Sequence, residues 1–187
     1  MAAQVTFGVK GGANFAYMSI EEGMDYAFHV GAFSKITISD NFFIQPEVLF
    51  SKKGTMPTDL SYYQLECTFD YLSLPILIGW NVSDHLAIMT GPELSYLLNG
   101  TAYTLDDQIF ISSAEFASWD VAIDFGLAYR ISKKFSAEIR YSLGLVDVLD
   151  IMFEDLFYRP AGSIEEGKNR TIQLSANFIL SRVKSKE

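Results

Sequence analysis

Residues 119–131 read WDVAIDFGLAYRI, with a large apolar side chain at every second position. Trp119, Val121, Ile123, Phe125, Leu127, Tyr129 and Ile131 share one face, and Asp120, Ala122, Asp124, Gly126, Ala128 and Arg130 share the other. A period of two is that of an extended strand whose faces meet opposite environments. The segment has 13 residues, beyond the roughly 5–6 of an ordinary strand and enough for the ~9–11 that a tilted strand needs to cross a bilayer.

Seven further segments repeat the pattern. The alternation predicts strands at about 5–18, 26–39, 42–53, 65–80, 85–98, 135–145 and 169–180, with a frayed charged tail at 181–187. Counted along the chain, the connections after the second, fourth and sixth of the eight strands, 81–84 among them, are tight polar turns, whereas those after the third, fifth and seventh are long. Short turns at one end and long loops at the other are the pattern of an outer-membrane barrel. Pro75, inside a strand, predicts a local break or bulge in the ladder, and Pro46 and Pro92 are read as strand-shaping in the same way.

The composition agrees. Of the 187 residues 49% are hydrophobic and 14% aromatic, with a mean hydropathy of +0.16, yet no run reaches the ~18 apolar residues of a membrane helix. A membrane crossing therefore requires a closed barrel, the other structure that satisfies every backbone group in lipid. A net charge of -9 argues against a nucleic-acid partner. The one cysteine, Cys67, excludes an internal disulfide. Residues 1–4 carry no signal peptide, so an exported chain is expected here in mature form behind an added Met.

Two arrangements suit the alternation: an eight-stranded antiparallel up-and-down transmembrane β-barrel with the polar face inside, or a soluble lipocalin-like barrel with the apolar face around a ligand. The polar face mixes Lys10, Lys35, Arg130 and Arg140 with Glu47, Glu93, Asp120, Asp124 and Glu138, four cations against five acids. Such near-cancellation suits charges confined in a lumen, because an unpaired buried charge is costly. Gly and Ala on that face, such as Gly8, Gly12, Gly31 and Gly79, make room in a narrow interior. Aromatic residues near strand ends on the apolar face, notably Trp80, Tyr96, Trp119 and Tyr129, suit the two membrane interfaces. The membrane barrel is the favoured reading. An Asp at Ile123 is then expected to prevent assembly and an Asp at Ala122 to be milder.

The chain also resembles the PorT-like outer-membrane beta-barrel family of Bacteroidetes. The matching pieces are FGVKGGANFAYM (7–18), FHVGAFSKI (28–36), FIQPEVLFSKKG (43–54), YLSLPILIGW (71–80), GPELSYLL (91–98) and RYSLGLVDV (140–148). The resemblance implies an exported outer-membrane barrel with no enzymatic activity established for the family at large. One member is linked to protein secretion in gliding and oral bacteria. The usual terminal aromatic is replaced here by Phe178 followed by ILSRVKSKE.

The charged face is read as a salt-bridge network plugging the lumen, since side chains just fill an eight-stranded interior; an ion path is the alternative. Asp120 and Asp124 lie four residues apart on one strand, roughly 13 Å, too far to act together on one bond. His29 is the candidate base for a third possibility, a lipid-modifying enzyme, although no motif names its serine. The two histidines offer no metal-ligand spacing, and no cofactor is expected. The expected partners are outer-membrane lipids and a protein reached through the external loops, where LDIMFEDLF (149–157) is the strongest feature.

Overall fold

The computed structural model describes residues 4–18, 25–55, 65–104, 110–112, 117–147 and 168–184. The strands are β1 (Gln4–Met18), β2 (Asp25–Thr37), β3 (Phe42–Thr55), β4 (Leu65–Asn81), β5 (Leu86–Thr104), β6 (Phe110–Ser112), β7 (Trp119–Arg130), β8 (Phe135–Asp147) and β9 (Lys168–Lys184). Each of the eight long strands pairs antiparallel with two neighbours: β1 joins β9, and the β4–β5 pairing completes the ring. The result is a closed eight-stranded up-and-down barrel, the arrangement that pairs strand backbone within lipid. β6 is an addition not foreseen in the sequence. It continues the sheet beside residues Thr101, Ala102 and Tyr103 of β5.

Three short turns close one end, and all use the same device. Ile38, Val82 and Ile131 each donate a backbone N–H to the carbonyl of Phe42, Leu86 and Phe135, at 2.9, 2.9 and 3.0 Å. In each, the next residue is a serine whose hydroxyl accepts the N–H three positions on: Ser39 from Phe42 at 3.2 Å, Ser83 from Leu86 and Ser132 from Phe135 at 3.1 Å. The sequences ISDNF, VSDHL and ISKKF are thus one turn written three times, each serine side chain satisfying a backbone donor that the turn leaves over.

The strand faces divide as the alternation predicts. On β7, Trp119, Phe125, Leu127 and Tyr129 are 52%, 51%, 48% and 54% exposed, whereas Asp120, Ala122 and Asp124 are 1%, 2% and 0% exposed. The apolar faces point out and the charged faces in. This rules out the lipocalin-like alternative, which needs the reverse.

The ends and irregularities of the strands add detail. Residues 181–184 are not a frayed tail: β9 continues to Lys184, which pairs with Gln4, and a bulge between Phe7 and Gly8 absorbs Leu180 as an extra residue. The ladder is interrupted beside Pro46 and Pro75, the local break expected at Pro75, with no change of register there; the bulge of this strand pair lies at Asp70/Tyr71. That bulge makes Leu98 the unpaired residue, so Asn99, which shares the parity of the inward Glu93 and Ser95, turns outward.

The interior is apolar near the short turns, where Phe43, Leu77, Ala87 and Met89 pack together. Glycine makes this layer possible. A Cβ on Gly79 would fall 2.0 Å from the Phe43 ring, and one on Gly8 would fall 2.3 Å from the Phe33 ring. Large and absent side chains therefore alternate around a narrow lumen.

Gly12 is tighter still, because a Cβ there would meet the Leu174 carbonyl oxygen at 1.8 Å, and backbone yields less readily than a ring edge. Gly12→Ala should destabilise the barrel by about 1–3 kcal/mol. Gly126→Ala, whose Cβ would meet Met89 at 3.4 Å, should cost less. Urea unfolding of both variants in lipid vesicles checks the order.

Candidate functional site

The centre of the lumen is an interlocked set of ion pairs contributed by four strands, with an amide donor from a fifth. Lys10 on β1 donates to both carboxylate oxygens of Glu47 on β3, at 3.0 and 3.1 Å, and to Glu138 on β8 at 2.9 Å. Arg140, two residues along β8, donates to the same Glu47 at 2.9 and 3.0 Å, to Glu138, and to Asp124 on β7 at 3.3 Å. Gln45 adds a donor to Glu47 at 2.8 Å, and Asn177 on β9 adds one to Glu138 at 3.1 Å. The side chains of Lys10, Glu47, Asp124, Glu138 and Arg140 are at most 1% exposed.

A second group lies toward the long-loop end. Lys53 on β3 donates to Glu93 on β5 at 2.8 Å and lies 3.7 Å from Asp120 on β7. Ser95 donates to Glu93 at 3.0 Å, and Asn169 donates to Asp120 at 2.9 Å. Fully buried charges are tolerable only when paired and hydrogen-bonded in this way. The alternation reaches this chemistry because residues of one parity from every strand point to the same axis.

Two of the predicted lumen charges take no part. Lys35 is half-buried with its ammonium 3.5 Å above the Phe43 ring. Arg130, the last residue of β7, is exposed. Both have the inward parity, but both sit at strand ends by the short turns, and alternation reports face without depth. Lys53 takes the place they were expected to fill. It shares parity with Gln45 and Glu47, the one signal in the sequence that points to it.

A third cluster was not foreseen beyond His29. The His29 ring joins Asn14 Oδ1 through Nδ1 at 2.7 Å and Ser175 Oγ through Nε2 at 2.8 Å. Asn14 in turn donates to Ser51 at 3.0 Å and to the Lys52 carbonyl at 2.7 Å. Gly12 makes the contact possible: it is paired with His29 on one side and Ser175 on the other, so no side chain stands between them. Among the described residues no group of three or more His, Cys, Asp or Glu is arranged to hold a metal ion.

On the outer surface, Trp80 stacks on Phe42 with ring centroids 6.3 Å apart, and Tyr129 lies 6.1 Å from the His85 ring, both at the short-turn end. Tyr96 and Trp119 meet edge to face at 4.9 Å toward the other end. The ten-residue separation of Trp119 and Tyr129 corresponds to roughly 34 Å along the strand. At a tilt of ~40° that is about 26 Å along the membrane normal, the height of the apolar band of such barrels. The segments 19–24, 56–64 and 148–167, including LDIMFEDLF, lie outside the described residues.

Comparison with known proteins places the fold. No curated protein matches the sequence. Among solved structures, the attachment invasion locus protein Ail of Yersinia pestis superposes with a TM-score of 0.53 at 11% identity, over 98% of this chain and 100% of that one. Ail in complex with the heparin analogue sucrose octasulfate gives 0.52 at 10% identity, with the same coverage. Neisserial surface protein A gives 0.49 at 13% identity, over 98% and 97%. Residues 2–150 match the model of the outer membrane protein beta-barrel domain family. The chain belongs to that family, and its place is the bacterial outer membrane.

Proposed function

We propose that the protein is a non-conducting, non-enzymatic barrel of the outer membrane that serves as a structural or interaction module, meeting its partner through the loops at the long-connection end. The observation that carries this reading is the Lys10–Glu47–Arg140–Glu138 network, which crosses the lumen and leaves its charges in one another's reach. An ion in transit would have to displace these pairs, whose side chains are at most 1% exposed and costly to leave unpaired. Lipids surround the outward Ile, Leu and Phe side chains, and the narrower kinship with PorT-like barrels, carried by the motifs quoted above, makes secretion machinery the first partner class to test.

The Ser175–His29–Asn14 chain has the connectivity of a nucleophile, base and orienting amide. Its members are 7%, 1% and 0% exposed, and the Asn14 amide is committed to Ser51 and Lys52. A nucleophile must reach its substrate, so this chain is read as a brace across β1. A serine-directed fluorophosphonate should leave the folded barrel unlabelled.

Planar-bilayer recording tests the main reading. The reconstituted protein should give no discrete current steps at 100 mV. Regular steps from protein verified as folded by heat-modifiable gel migration would contradict it.

A further inference from the structure

The short-turn mouth of the barrel holds a cavity of about 80 Å³, several times the ~10–15 Å³ that one enclosed water requires by the same measure. Phe33, Phe43 and Met89 form its apolar wall, and Lys35 and Arg130 reach it from β2 and β7. Neither cation makes an ion pair among the described residues. Of the described residues lining the cavity only Glu138 is acidic, and its oxygens already accept from Lys10, Arg140 and Asn177. Asp40 and Asp84, the acids of the neighbouring turns, do not line it. Among the described residues the buried cations Lys10, Lys53 and Arg140 are all matched to carboxylates. Here two stand together without one.

We propose that this cavity binds a small phosphate-type oxyanion between Lys35 and Arg130. A guanidinium offers parallel N–H donors that fit phosphate oxygens, and an ammonium supplies a point charge beside it. Two cations match a dianion in charge. The Phe43 ring under the Lys35 ammonium holds that charge at an apolar wall, where its attraction for an anion is less screened than in open water. The volume admits a phosphate with few further atoms, so the group is either a free phosphate or the headgroup of a lipid at the same membrane surface.

Calorimetric titration of the folded protein in non-ionic detergent at constant ionic strength tests the proposal, with inorganic phosphate in one arm and dihexanoyl phosphatidate in the other. At least one should bind saturably. That binding should weaken at least tenfold in Lys35→Gln and in Arg130→Gln, and Arg130→Lys should retain part of it. Tighter binding of phosphatidate than of phosphate identifies a headgroup as the source, and equal or weaker binding identifies the free anion. A flat wild-type titration in both arms overturns the proposal without reference to any variant. So does saturable binding that both Gln variants, folded by gel migration, retain in full.

Discussion

Ile123→Arg should leave most of the chain unable to reach the folded, membrane-inserted state, whereas Ile131→Arg should assemble almost as well as the parent. Ile123 is 36% exposed on the outer face of β7, midway between Trp119 and Tyr129, and Ile131 is 65% exposed just beyond Tyr129. An arginine facing lipid costs about 2–4 kcal/mol at the bilayer midplane and about 0–1 kcal/mol near the interface. The first range is roughly 30- to 700-fold in a folding equilibrium. Folded fraction in vesicles, read from heat-modifiable gel migration, checks the pair. The structure also revises the expectation for Ala122. That side chain is 2% exposed, between the inward Asp120 and Asp124 and paired with Glu93, so an added Asp meets three acids and a filled space and should be as harmful as a charge in lipid.

Arg140→Met should be the most damaging change within the lumen. Glu47 and Glu138 keep Lys10, but Asp124 loses its only ion-pair partner among the described residues. Leaving a buried charge without its partner costs about 3–5 kcal/mol, whereas replacing a whole buried pair by uncharged groups is often neutral. Arg140→Met combined with Asp124→Asn should therefore be more stable than Arg140→Met alone. Urea midpoints in vesicles measure this. Arg130→Met, at the exposed end of the neighbouring strand, is the reference, and equal loss in the two single variants would show that the network is not the buried support described here.

The facing and number of the eight barrel strands were legible in the sequence because alternation marks each of them, although the short β6 was not. WDVAIDFGLAYRI has no exception to its alternation, and its inward Asp120 and Asp124 point as the pattern requires. Depth was not legible. Lys35 and Arg130 share parity with Lys10 and Arg140, and only the stagger of the strands shows that the first two reach the mouth and the second two the centre. Bulges were equally hidden: Leu98 and Leu180 look like ordinary outward leucines, and their displacement from the ladder is set by pairing with β4 and β1. The apolar layer of Phe33, Phe43, Leu77 and Met89 broke the polar pattern of the inner face, and the glycines beneath it were the available clue. The His29 contact needed three strands in register, which no local pattern encodes.

The outward facing of the apolar stripe is the claim on which the rest depends, and lipid-quenched fluorescence tests it most directly. With Trp80 and Trp119 replaced by Phe, a Phe125→Trp variant would carry the sole tryptophan, at a position 51% exposed near the middle of β7. In vesicles of lipid brominated at mid-chain its emission should be strongly quenched, and more so than that of Trp119 in a variant where Trp80 alone is replaced. Unquenched Phe125→Trp emission from protein shown to be folded and vesicle-bound would contradict the facing assigned to every strand.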